Sequence, residues 1–310
     1  MSTRAAATST RRDQRVTRAP VPGLRWLMGV LLHLVAAVIT VIMVFPFVWM
    51  VSSSVKPAEE LFRFPPTLLP SVWNWQNYGN AWQAARFSRY FGNSVVVAVT
   101  GTCVSIGVCA MAAFAFTKLK FRLREPLFWL VLGSQMIPSI ITLVPSFLVV
   151  KNMPFMGGND WQGRGGHGLL NSYAGLILPG ASAAFGVFLL RQFFQTVPDD
   201  LLDAARIDGC GDGGLFARIV MPLSRPALAA LAIFTFQGYW NDFIWPLVII
   251  SEDRFRTVQL GLVVFRQRFT TDWGPLMAGV TIATAPMLLV FLLAQRYFVR
   301  GIALTGMREG

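Results

Sequence analysis

The chain has 310 residues, of which 54% are hydrophobic and only 14% charged, and it carries a net charge of +12. With a mean hydropathy of +0.53, this composition excludes an ordinary water-soluble domain and makes a bilayer the natural solvent. Much of the basic excess lies before the first apolar run and beside later ones, where anionic headgroups attract it; membrane lipid, and not nucleic acid, is therefore the expected partner.

Residues 1–25 read as a disordered basic tail of Ser, Thr, Ala and Arg. It is not expected to be a signal peptide, because the apolar run behind it exceeds a signal core of ~7–15 residues, so the tail is expected to stay attached. Apolar windows, free of Asp, Glu, Lys and Arg except for Asp242 in the fifth, follow at Trp26–Val55, Asn93–Thr117, Pro126–Val150, Asn171–Leu190, Ala227–Ser251 and Leu276–Gln295. Each is near the ~20 residues that an α-helix needs to cross hydrocarbon. The expectation is an all-α integral membrane protein with six transmembrane helices. Seventeen Lys and Arg fall in the tail, the second loop, the fourth loop and the end, against ten in the three alternate loops. Cytoplasmic flanks collect basic residues, so both termini are expected to be cytoplasmic.

Within the second span Gly101, Ser105, Cys109 and Ala113 recur every four residues, placing small side chains on one stripe that a neighbouring backbone can approach. Pro138 and Pro145 in the third span, Pro179-Gly180 in the fourth, Pro246 in the fifth and Pro286 in the sixth are expected to bend their helices. Such bends open cavities in transporters and also occur in membrane helices of other kinds. Cys103, Cys109 and Cys210 fit no disulfide framework. His33 and His167 are too few for a zinc site or a catalytic triad, so no metal, cofactor or catalytic residue is expected.

The fifth span carries Phe236-Gln237-Gly238-Tyr239-Trp240-Asn241-Asp242. Its amides stand at i and i+4, and its one carboxylate is costly at membrane depth unless paired or wetted. On one reading Gln237, Tyr239 and Asn241 face a translocation path while Asp242 ties the bundle together or lies toward the outer side. On the other, these residues bond neighbouring helices or sit at the interface beside Trp240 and Trp245.

Between the fourth and fifth spans, Pro198-Asp199-Asp200 should open a short helix, with acidic residues at its positive end and Gly209 stopping it. Ala204 and Ala205 keep its surface low enough for another protein's groove to close around it. Gly211, Asp212, Gly213 and Gly214 should break the chain before Leu215–Val220 resume an apolar pattern that ends at Met221-Pro222.

This segment, Asp203-Ala204-Ala205 followed by Asp208-Gly209, Ile219 and Pro222, resembles the EAA loop of ATP-binding-cassette (ABC) importer permeases. Phe91-Gly92-Asn93-Ser94, Gln135-Met136-Ile137-Pro138, Tyr239-Trp240-Asn241-Asp242-Phe243 and Gln295-Arg296-Tyr297-Phe298-Val299-Arg300-Gly301 resemble the smaller permease of maltose-type carbohydrate importers. Asp203 stands where the family pattern has glutamate and Met221 where it has leucine, and Cys210–Gly214 is richer in glycine. The resemblance implies a type I ABC importer permease fold in the bacterial inner membrane. Its domains would be a first helix at 26–55, an extracytoplasmic loop at 56–90, a five-helix core at 91–296 with a coupling loop at 195–226, and a cytoplasmic tail at 297–310. It also implies a heterodimer with a second permease subunit, two ATP-binding subunits and an extracytoplasmic solute-binding protein, together carrying a mono- or oligosaccharide. The chain has no Gly-x-x-x-x-Gly-Lys-Ser/Thr loop, so it lacks that device for cradling nucleotide, and ATP hydrolysis would belong to a partner. The Gly-rich loop 152–169 would face outward, either tuning partner choice or serving as an inert flexible insertion. An ion-gradient-driven secondary transporter is the alternative, disfavoured because Asp242 stands nearly alone as an intramembrane charge.

Overall fold

The computed structural model describes residues 22–266 and 271–306, apart from the side chains of 22–25, 85 and 295–306. The basic tail up to residue 21, the side chains of the Gln295–Gly301 motif and the last four residues lie outside the described set. Among the described residues the regular structure is helical, apart from one isolated antiparallel bridge between Arg266 and Thr271.

The chain divides into two units, Met1–Trp49 and Met50–Gly310. The described part of the first is most of helix α1 (Pro22–Ser54), in which none of residues 26–49 is buried and Leu, Val, Ile and Phe are exposed on every side. A helix apolar all round is suited to lipid or to another subunit, and not to water.

The second unit begins with the last turn of α1, then α2 (Ala58–Leu61) and α3 (Gln76–Gln83). Here the chain knots itself with polar contacts. Asn77 Nδ2 donates to the carbonyls of Ser54 and Lys56 at 3.0 and 2.9 Å, and the buried Lys56 ammonium donates to Thr67 O. The Glu60 carboxylate accepts from Thr67 Oγ1 at 2.7 Å and from Ser71 Oγ at 2.8 Å, which holds it below the usual carboxylate range.

Helix α4 (Phe87–Lys118) is the central rod, 32 residues long and so about 48 Å. Gly101, Ser105, Cys109 and Ala113 are all buried on it. A Cβ on Gly101 would come within 2.7–2.9 Å of the Tyr239 ring, and one on Gly186 within 2.8 Å of Cys109 Sγ. The small-residue stripe is thus the face on which α8 (Ala184–Phe194) and α12 (Arg225–Asn241) close.

The windows expected as the third, fourth and fifth spans are not single rods. Helices α5 (Arg124–Ser134) and α6 (Ser139–Lys151) meet at 105° across Gln135–Pro138, and each is too short to cross ~30 Å of hydrocarbon alone. Helix α7 (Tyr173–Ile177) runs through a 3₁₀ turn at Leu178–Gly180 and meets α8 at 49°. Helices α9 (Asp199–Ile207), α10 (Asp212–Gly214) and α11 (Met221–Leu223) precede α12, which meets the Asp212–Leu223 rod at 80°. Helix α12 stops at Asn241, and α13 (Ile244–Ile249) follows after Asp242-Phe243. A short α14 (Val258–Leu262) leads to α15 (Trp273–Gly306). Pro145 and Pro286 do not break their helices: α6 and α15 run through them. By length and composition, three helices can cross a membrane among the described residues, or up to six if each bent pair is one span.

The Gly-rich loop 152–169 is knit by its own backbone and not left as an open insertion. Asn159 is buried, donates to Lys151 O and Met153 O at 2.8 and 3.1 Å, and accepts from Gly166 N at 2.8 Å. Leu169 N donates to Val150 O at 2.9 Å and closes the loop. Gly157, Gly158, Gly163, Gly165 and Gly168 all take positive φ, which lets so short a loop double back.

Candidate functional site: a surface helix and a junction of broken helices

Helix α9 starts with Asp199 and Asp200 in its first turn and ends with Arg206 in its last, matching the helix dipole at both ends. Gly209 at φ +84 closes it: Cys210 N reaches back to Ala205 O at 2.9 Å, and Gly209 N to Arg206 O at 3.0 Å. One face points inward. Leu202 is 1% exposed in a core shared with Phe194, Leu215 and Leu231, and Ala205 packs beside it. The other face is open, with Leu201, Asp203, Ala204, Ile207 and Asp208 exposed. The expectation of a low surface made of both alanines is therefore corrected: only Ala204 faces out, and Ile207, 87% exposed, projects beside it.

Beyond Cys210 and Gly211, the glycines do not break the chain as expected. Asp212–Gly214 is already helical, Leu215–Val220 is wound as a π-helix, and Met221–Leu223 continues it, with Pro222 exposed. The wider turn lets Leu215 and Val220 bury in the same core as Leu202, while Ile219 packs at its edge and Phe216 sets its ring 5.3 Å from that of Phe114. The helical end comes at Ser224, where the 80° bend into α12 occurs.

Two ionic ties that no sequence motif announced fasten this region. Lys118, the last residue of α4, is almost wholly buried and donates to Val197 O at 2.8 Å and to Asp199 Oδ1 at 2.7 Å. The same hydrogen bond depresses the Asp199 pKa below the usual carboxylate range. On α8, Arg191 makes a two-pronged contact with Glu125 at 2.9 and 3.0 Å and lies over the Phe128 ring at 3.8 Å, joining α8 to α5. Pairing across 66–81 residues leaves no local periodicity to read.

The second place is the junction of the broken helices. Gln237 and Asn241 lie with Phe234 and Gly238 on one exposed stripe of α12, at i, i+3, i+4 and i+7. Tyr239 does not share it. Its ring fits against Gly101 and its hydroxyl donates to Ile177 O at 2.8 Å, locking α12 to α4 and α7. Asp242 accepts from Trp245 N at 3.3 Å in the first turn of α13, while Trp245 Nε1 donates to Gly175 O at 2.9 Å. The buried Trp240 donates to Ala283 O at 2.9 Å, fixing α12 to α15.

An open cavity of about 350 Å³ lies between α6, the Pro179-Gly180 turn and the Asp242 break, lined by Ser139, Thr142, Ser146, Tyr239, Asp242 and Trp245 among others. A second cavity, of about 280 Å³, shares Gly180, Tyr239 and Asp242 with it and opens along Phe234 and Gly238. Asp242 and Tyr239 thus border both cavities, and Gln237 and Asn241 look out from a neighbouring face.

Residues 104–304 match the family described as binding-protein-dependent transport system inner membrane component. The chain is 34% identical over 300 residues to the probable ABC transporter permease protein YurM of Bacillus subtilis (strain 168), covering 94% of this chain and 93% of that protein. It is 34% identical to the sn-glycerol-3-phosphate transport system permease protein UgpE of Yersinia enterocolitica, over 89% of this chain and 96% of that one. It is 32% identical to the diacetylchitobiose uptake system permease protein NgcG of Streptomyces coelicolor, over 94% and 88%. A crystal structure of a bacterial ABC transporter involved in import of the acidic polysaccharide alginate superposes with a TM-score of 0.76 at 20% identity, covering 91% of this chain and 100% of that chain. A bacterial alginate ABC transporter in complex with an alginate pentasaccharide-bound periplasmic protein superposes with a TM-score of 0.62 at 12% identity, over 88% and 93%. The fold is thus that of an ABC transporter permease, a membrane subunit and not an enzyme. The chain belongs to the binding-protein-dependent transport system inner membrane component family.

Proposed function

We propose that this chain forms half of the transmembrane pathway of an ABC importer for a mono- or oligosaccharide, paired with a second permease. Separate ATP-binding subunits would drive it from the cytoplasm, and an extracytoplasmic solute-binding protein would load it. In this reading the bent pairs count as three spans, giving six with α1, α4 and α15; both termini are cytoplasmic. Residues 56–90 lie outside, 91–296 form the core, and 195–226 are the coupling loop. The similar proteins carry glycerol phosphate, diacetylchitobiose and alginate, whose shared chemistry is a run of hydroxyl groups. That shared chemistry supports a carbohydrate cargo here.

The observation that carries the coupling role is the two-faced α9. Its inner face is fused to the core that holds α4, α8 and α12 through Leu202 and Lys118–Asp199, while Leu201, Ala204 and Ile207 stand exposed on the other. A push on the outer face is transmitted to three spans at once, which suits a lever between two access states. Asp203, Asp208, Gly209, Ile219 and Pro222 would shape that lever; Gln237, Tyr239, Asn241 and Asp242 would border the solute path. The test is Gly209→Val in the assembled transporter. Membrane insertion and assembly with the ATPase are expected to persist while ATP-dependent solute uptake is lost, and uptake at the wild-type rate would reject the lever. The ion-gradient alternative has no support from the family.

A further inference from the structure

The cavity at the junction of the broken helices has a definite charge character. Among its described lining residues are the hydroxyls of Ser139, Thr142, Ser146 and Tyr239, the Trp245 indole and the Asp242 carboxylate, with no Lys or Arg. The adjoining cavity adds Thr235 and again Asp242, also without a basic residue. Ser139, Thr142 and Ser146 fall at i, i+3 and i+7 of α6, one side of that helix. Thr142 turns its hydroxyl back to Ser139 O at 3.0 Å, which leaves Ser139 and Ser146 as the donors of that side.

We propose that this junction is a solute subsite for an uncharged polyhydroxylated cargo, and that Asp242 is the residue that rejects anionic cargo such as phosphate esters and uronates. The inference rests on the carbohydrate-permease reading above and narrows it. A carboxylate accepts hydrogen bonds from sugar hydroxyls but repels a carboxylate or phosphate brought within a few ångströms, and among the described residues that line the cavity no cation offsets that repulsion. Both cavities are large enough to hold the water that a charge on Asp242 requires. The Trp245 indole, anchored through its own N–H to Gly175 O, offers an apolar face of the kind that a pyranose ring stacks on. Anion rejection here is independent of what the solute-binding protein selects, because it acts on whatever enters between the helices.

The test uses the whole permease–ATPase complex in lipid nanodiscs, without the solute-binding protein. Saturation-transfer NMR is recorded for cellobiose and cellobiouronate, two disaccharides that differ by one carboxylate. Cellobiose is expected to receive saturation, and cellobiouronate at least about tenfold less. Asp242→Asn retains an acceptor for Trp245 N and is expected to close most of that gap; Ser146→Ala, which removes one donor, is expected to weaken cellobiose without changing the gap. Equal signals from the two sugars in the wild type, no signal from either, or a gap unchanged by Asp242→Asn would each overturn the proposal. Because the wild-type comparison needs no variant, poor folding of Asp242→Asn does not blunt the test. Failure of the import reading has a different signature, read on the same complex in sealed proteoliposomes with the solute-binding protein added: uptake independent of ATP, with the two-sugar pattern intact.

Discussion

Gly101 and Gly186 show how single residues set the distance between helices. Each lies where a methyl group would collide, with the Tyr239 ring in one case and with Cys109 Sγ in the other. Gly186→Ala should destabilise by about 1–3 kcal/mol through overpacking, read as a lowered melting temperature of the solubilised complex. Adding Cys109→Ala, which removes the obstructing sulfur, should return much of the loss; no recovery in the double variant would mean that the collision is not the cause. The small-residue stripe was legible from its spacing alone, because a four-residue repeat is a face by geometry. The partners of that face were not, because they come from 70–140 residues away.

Glu60 and Asp199 are depressed carboxyls with different surroundings, the first buried among hydroxyl donors and the second exposed beside Lys118. A depressed carboxyl contributes stability that is complete above its unfolded value and is lost as pH falls through its folded one. The melting temperature of the complex should therefore be insensitive to these groups from pH 7 to about pH 5 and should fall below the ordinary carboxylate range. Glu60→Gln should lower stability at neutral pH and flatten that acid limb. An unchanged acid limb would place the sensitive groups elsewhere.

At the scale of elements, the apolar windows mark where the chain is apolar enough to cross hydrocarbon, and Pro138, Pro179 and Gly209 mark where helices end. The angles are another matter. Neither the 105° reversal between α5 and α6 nor the 80° bend at Ser224 follows from composition, since hydropathy counts length and carries no direction. The π-wound Leu215–Val220 differs from the expected restart after broken chain, because two glycines weigh against helix locally while burial of Leu215 and Val220 decides the outcome. At Gly209 the space around the missing side chain is open, so the cost of substitution is backbone strain alone. Asn should be tolerated better than Ala, and Ala better than Val, in ATP-dependent uptake, because only φ +84 discriminates among them. Equal uptake across the three would show that the closure of α9 does not matter to coupling.

The Lys118–Asp199 tie belongs to the same scale, since it joins the end of α4 to the start of α9. Lys118→Met should leave Val197 O unpaired and loosen α9, reducing coupled uptake several-fold. Because Asp199 is largely exposed, the ion pair itself contributes little, about 0–1 kcal/mol. Asp199→Asn should therefore be much milder than Lys118→Met, and the reverse ranking would contradict this picture of the anchor.

For the whole molecule, the central claim is that the open face of α9 is a cytoplasmic lever gripped by a separate ATPase. Its direct test is accessibility of one position. Ile207→Cys is introduced with Cys210→Ser, so that the neighbouring native thiol does not report in its place, and the intact transporter is treated with a membrane-impermeant maleimide from each side. Position 207 should label only from the cytoplasmic side, and binding of the ATPase subunits should protect it. Labelling from the outer side, or labelling unaffected by the ATPase, would contradict the account.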